Sequence, residues 1–182
     1  MRNSDDIKAD VADLPVELER DVFLRTLLRE LSGALQEIVG LEDAKGFISV
    51  VGTAMGRQLD DAYKSALEVE KLSREQIADV LVDLKRRIQG SFYIIEQNDD
   101  RIVFGNTQCP FGEKVVGRPS LCMMTSNVFG RISADNSGYA EVDLEETIAE
   151  GAPGCRVVVY LKPSDNIPDT ARAYYTDQAG GG

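Results

Sequence analysis

Large apolar residues recur every three or four positions from Phe23 to Ile38, through Leu24, Leu27, Leu28, Leu31 and Leu35. That period predicts an amphipathic helix of about seven turns, opened near Pro15 and ended at Gly40. A stripe this broad can cover the domain's own sheet or form the seam of a helical dimer. The same spacing returns in Phe47, Ile48, Val51, Met55, Leu59, Tyr63 and Leu67 and predicts a second helix from Glu42 or Asp43. Gly52 and Gly56 lie on one face of it, where close packing against another helix is expected; no Gly-Lys-Ser/Thr follows to make a phosphate loop. Ser73-Arg74-Glu75-Gln76 is a capping box that opens a third helix through Ile77, Val80, Leu81, Leu84 and Ile88, stopped at Gly90.

Beyond Gly90 the period falls to two. Ser91 to Gln97 and Arg101 to Phe104 read as a hairpin turned at Asn98-Asp99-Asp100. Cys109 follows in a loop, Pro119 and Ser120 start a fourth helix reaching Ala134, and Asn136-Ser137-Gly138 turns the chain. Tyr139 to Leu144 and Arg156 to Leu161 form a second hairpin. N-terminal helices followed by two β-hairpins separated by a helix predict an α+β fold with an antiparallel sheet. One domain is expected over 14–163, between a disordered N-terminus at 1–13 and a flexible polar tail at 164–182.

Composition narrows the role. The net charge of −11, from 31 acidic and 20 basic residues, repels phosphate backbones and anionic lipid, so no direct nucleic-acid or membrane partner is expected. Lys85-Arg86-Arg87 is expected to complement the C-terminal end of the third helix dipole. No apolar run has the length of a membrane span, and the first residues lack the apolar stretch of a signal peptide; a cytoplasmic location is the expectation. An odd count of three cysteines argues against a disulfide framework, and the absence of histidine removes the commonest general base.

The candidate chemistry lies in those cysteines. Cys109, Cys122 and Cys155 are separated by twelve and thirty-two residues, unlike a Cys-x-x-Cys pair. The predicted elements place them in a loop, at a helix start and at a hairpin turn, which can converge at one end of the sheet. Cys122, in a first helical turn, is expected to be thiolate-prone. Three thiolates with an oxygen ligand from Glu146 (or its neighbours Glu145 and Thr147, or water) can hold zinc or an iron–sulfur cluster. Met123, Met124, Val128 and Phe129 on the fourth helix are candidate lining for an apolar ligand pocket. No nucleophile elbow or cofactor fingerprint is present, and no catalytic residue is assigned.

Several strings together resemble a known family: Cys109-Pro110-Phe111-Gly112, Pro119-Ser120-Leu121-Cys122, Gly130, Gly138-Tyr139, Glu145-Glu146, Gly151 and Gly154-Cys155-Arg156. The stretch from Cys109 to Leu161 resembles the vinyl-4-reductase sensor domains, small ligand-binding units of bacterial and archaeal regulators. Residues 18–163, with Glu19 to Arg25 and Gly46-Phe47-Ile48, are more closely similar to their signalling relative, the methanogen output domain. Against the zinc-binding members of the wider family, Cys122 and Cys155 match the first and last cysteine ligands. The middle one falls near Thr147, and Cys109 is an extra thiol able to replace it. The Cys109–Cys122 gap is also similar to the start of the motif of Suf-type iron–sulfur repressors, whose third cysteine would fall at Asn136.

The resemblance implies a sensory or output domain, not an enzyme, signalling as a homodimer to a partner such as a histidine kinase or response regulator. The alternative is a small-molecule or pigment carrier without metal. A thiol-dependent reductase built on Cys122 stands behind both.

Overall fold

The computed structural model describes residues 19–176. Within them the order is α1 (Arg20–Val39), α2 (Leu41–Leu67), α3 (Arg74–Arg87), β1 (Phe92–Gln97), β2 (Arg101–Asn106), α4 (Cys122–Ser137), β3 (Tyr139–Glu146), β4 (Cys155–Tyr160) and β5 (Arg172–Tyr175). The expected α+β class is the one observed. The expected helix start at Pro15, the tail at 1–13 and the final glycines lie outside the described residues.

All strand pairs are antiparallel, in the order β1-β2-β4-β3-β5. Both expected hairpins form. The expected tail from residue 164 differs: Arg172–Tyr175 returns and pairs with β3, Ala140 opposite Tyr174 and Val142 opposite Arg172. Four residues that follow a stretch holding Pro163 and Pro168 carry too weak a period to read as a strand. What holds them is tertiary, since the Tyr174 hydroxyl lies 2.8 Å from Ser126 Oγ, and Tyr174 packs on Gly130, where a Cβ would collide with its ring.

One face of the sheet carries the core. Phe92, Ile102, Phe104, Ala140, Val142, Val157 and Val159 pack against Ile77, Val80, Leu81 and Leu84 of α3 and Val128, Phe129 and Ile132 of α4. Phe129 meets Phe92 and Phe104 edge-on, with ring centroids 5.4 and 5.3 Å apart. Helix α2 lies across α4, and its two expected contact glycines explain how closely: a Cβ on Gly52 would stand 2.8 Å from Asn127 Cβ, and one on Gly56 2.9 Å from Arg131 Cβ. A buried bridge ties α2 to the start of α3. Asn136 donates to Asp60 and accepts from the Leu72 amide, both at 2.7 Å.

Helix α1 does not cover the sheet. Its stripe is exposed, as is much of the apolar face of α2: twelve large apolar residues from Val22 to Met55 keep 39–81% of their surface in solvent.

Candidate functional site

Strand β2 delivers Cys109 just past its end, α4 begins at Cys122, and β4 begins at Cys155, whose register partner is Asn106 at the end of β2. The three free thiols therefore gather at one end of the sheet, as expected, and each is half-buried. Cys155 Sγ accepts from the Ile148 amide at 3.5 Å and from Asn106 Nδ2 at 3.7 Å. Asn106 is itself buried and accepts from the amides of Ser91 and Gln108, so the Cys155 thiol rests on a fixed polar support. Cys109 and Cys122 instead pack in a small apolar cluster with Val115, Leu121 and Ala149.

Burial decides the state of these thiols. It pushes Cys122 up to about 12, reinforced by the neighbouring Cys155 and Cys109 and only partly relieved by the nearby Thr147 hydroxyl; burial also raises Cys109. The expected thiolate character of Cys122 is thus overturned. The pull of a helix N-terminus is worth about 1 kcal/mol, less than the cost of burying an anion among apolar side chains.

Zinc and iron–sulfur ligation needs thiolates converging with a fourth donor. Among the described residues, no group of three or more His, Cys, Asp or Glu side chains is arranged to hold a metal ion. Glu146, the expected oxygen ligand, is exposed, and Thr147 turns its hydroxyl to Glu150 at 2.8 Å. As arranged, these residues do not fit either centre.

What the thiols share is a cation. Lys85 is 4% exposed, within electrostatic reach of all three, with Nζ 5.2 and 5.3 Å from the ring centres of Phe92 and Phe129. It donates to Thr125 Oγ1 at 2.7 Å and makes no ion pair among the described residues. Burial pushes it down to about 8. Its neighbours Arg86 and Arg87 do stay outside and pair with Asp83. The tribasic run thus conceals one inward-facing lysine. The signal available in the sequence was the helical period, which puts Lys85 four residues after the buried Leu81.

The loop between Cys109 and Cys122 is clamped to α1. Arg29 donates to the carbonyls of Lys114 and Val116 at 2.7 and 2.8 Å, and Ser32 Oγ lies 2.8 Å from Ser120 Oγ in a buried contact. Ser120 donates on to Gln36. Arg118 packs over Gly33, where a Cβ would stand 2.7 Å from its guanidinium.

Beside Cys122 is a cavity of about 330 Å³, framed by Glu42 and Lys45 of α2, by Pro119, Cys122, Met123 and Ser126 at the start of α4, and by Val142, Leu144 and Arg172 of the sheet. Of the four expected pocket residues, Met123 lines it. Met124 packs partly buried on the core, and Val128 and Phe129 lie within the core, because the α4 face carrying them points at the sheet. The polar wall had no sequence signature, since its residues come from four distant segments, at 42–45, 122–126, 143–150 and 170–172.

The model of a known family, methanogen output domain 1, matches residues 27–160. Among curated proteins none matches the sequence. Among solved structures, the phenol-responsive sensory domain of the transcription activator PoxR, with phenol, superposes with a TM-score of 0.63 at 16% identity, covering 80% of this chain and 75% of that one. A trafficking protein particle complex subunit 3 from Naegleria fowleri, covalently bound to palmitic acid, superposes with a TM-score of 0.50 at 13% identity, covering 78% and 96%. At these identities the likeness is one of fold.

Proposed function

Because the chain belongs to the methanogen output domain 1 family, we propose that it is a cytoplasmic sensory or output domain that acts by binding rather than by catalysis. Its input end is the cavity and thiol end of the sheet, and its output element is α1. The carrying observation is that α1 is bonded to the 112–121 segment by Arg29, Ser32 and Gln36 while its apolar stripe stays in solvent. A shift of that segment, which ends at Cys122 beside the cavity, moves α1 with it. A phenol-responsive sensor of the same fold supports the reading.

The stripe takes a second copy of this chain. Twelve half-exposed apolar residues leave on the order of 1,000 Å² of apolar surface per protomer, against about 800 Å² per partner in a standard interface. Monomers rarely expose that much. The homodimer would then address a kinase or response regulator. Sedimentation velocity tests it: the native chain should sediment at twice its 20.0 kDa mass, and a Leu27→Glu, Leu31→Glu variant as a monomer. A native monomer at high micromolar concentration would sink the dimer.

A second reading places a redox input on the thiols, supported by their shared neighbourhood around Lys85. Peptide mapping after mild oxidation, with and without reductant, tests it; three untouched thiols would remove it.

A further inference from the structure

The charged groups around the cavity are not equally committed. Three carboxylates line it and each is engaged: Lys45 holds Glu42 at 2.7 Å, Glu150 accepts the Thr147 hydroxyl, and Asp143 accepts the Thr170 hydroxyl at 2.9 Å. Arg172 differs. Its register partner Val142 is a core residue, so alternation turns its side chain to the helix side of the sheet. There it donates to Ser49 Oγ at 3.2 Å, with no carboxylate in ion-pair contact among the described residues. Glu42 lies within electrostatic range of it but is tied to Lys45. A guanidinium offers five donors in a planar fork, and one is used.

Helix α4 starts beside the cavity with no side-chain cap, and Glu150 lies within electrostatic range of its first residue, Cys122. The wall also carries the apolar Pro119, Met123, Val142 and Leu144, beside the hydroxyls of Ser126, Thr147 and Thr170. The volume is at the low end of small-molecule sites.

We propose that this cavity binds a small organic acid, its carboxylate held by the Arg172 fork and its apolar body against Met123, Val142 and Leu144. The assignment names a ligand class for the cavity that the signalling reading uses. It is measured by binding alone, so its failure is separate from that of the α1 dimer.

The test is titration calorimetry of the full chain with three sodium salts (acetate, hexanoate and benzoate) and with the neutral isosteres hexanamide and benzamide. Hexanoate or benzoate should bind saturably, and at least tenfold more tightly than its amide, the discrimination of one charge-assisted fork. Acetate, without an apolar body, should bind more weakly than either. Arg172→Gln should erase the acid-over-amide preference, and Arg172→Lys should restore part of it. Thermal unfolding and circular dichroism show that each variant is folded. Equal binding of acid and amide by the native chain would overturn the proposal. An unchanged preference in folded Arg172→Gln, or no saturable binding of any of the three acids, would do the same.

Discussion

Replacing Lys85 by methionine should stabilise the protein at neutral pH. The ammonium is 4% exposed, and burial lowers it from 10.5 to about 8. The folded state thus disfavours the charged form by roughly 3 kcal/mol at pH 7. Methionine has a similar length and fills the space between Phe92 and Phe129 without a charge. Against this stand the lost bond to Thr125, about 1 kcal/mol since Thr125 is half-buried and water can replace the donor, and a cation–π contact of similar size. The net gain at pH 7 is about 1 kcal/mol, or roughly 2–4 °C in a chain of this size. Its pH dependence is the sharper test. Below pH 8 the lysine is charged folded and unfolded, and the full penalty applies. Between 8 and 10.5 the unfolded chain binds more protons, so native stability rises with pH and the advantage of methionine shrinks. Above 10.5 it reverses to the loss of the Thr125 bond. Urea unfolding of both proteins at pH 7 and pH 10 measures this, and the comparison cancels contributions of the thiols common to both. A variant less stable than the native chain at pH 7 would refute the reasoning, because it would mean that Lys85 is paired with a thiolate.

Other outcomes follow from single contacts. Cys122, raised to about 12 by burial, should react with iodoacetamide at pH 8 at least tenfold more slowly in the folded chain than in urea, as read by peptide mass spectrometry. Because the unfolded thiol ionises near 9, Cys122→Ser or Cys122→Ala should flatten the loss of stability between pH 9 and 12. Asn136→Ala removes the partner of the Leu72 amide and one of Asp60, and should cost about 2–3 kcal/mol in urea unfolding. Gly130→Ala drives a methyl into the Tyr174 ring and should cost about 1–3 kcal/mol, with loss of amide protection across β5 in hydrogen exchange.

What was legible in the sequence was whatever repeats locally. The periods of α1 to α4, the capping box at Ser73 and both hairpins were readable because each is encoded within a dozen residues. So was the close approach of α2 through Gly52 and Gly56, which needs only two small residues one turn apart. The meeting of the three thiols was legible through their element ends. The state of Cys122 was not, since it depends on Leu121, Ala149 and Val115 arriving from separate segments to exclude water. The basic run Lys85-Arg86-Arg87 does close the last turn of α3, as expected, but the burial of Lys85 within it was not read. Strand β5 was missed because its signal is a tyrosine fitting over a distant glycine. Arg172 owes its inward direction to the register set by that strand.

Helix α1 passes into α2 through the single residue Gly40, at φ +84°, where a side chain would meet open space. Among the described residues, the side-chain bonds that hold it to other elements run to the 114–120 segment. Any swing of α1 about Gly40 must break those bonds first, so the joint is a hinge that the clamp keeps shut.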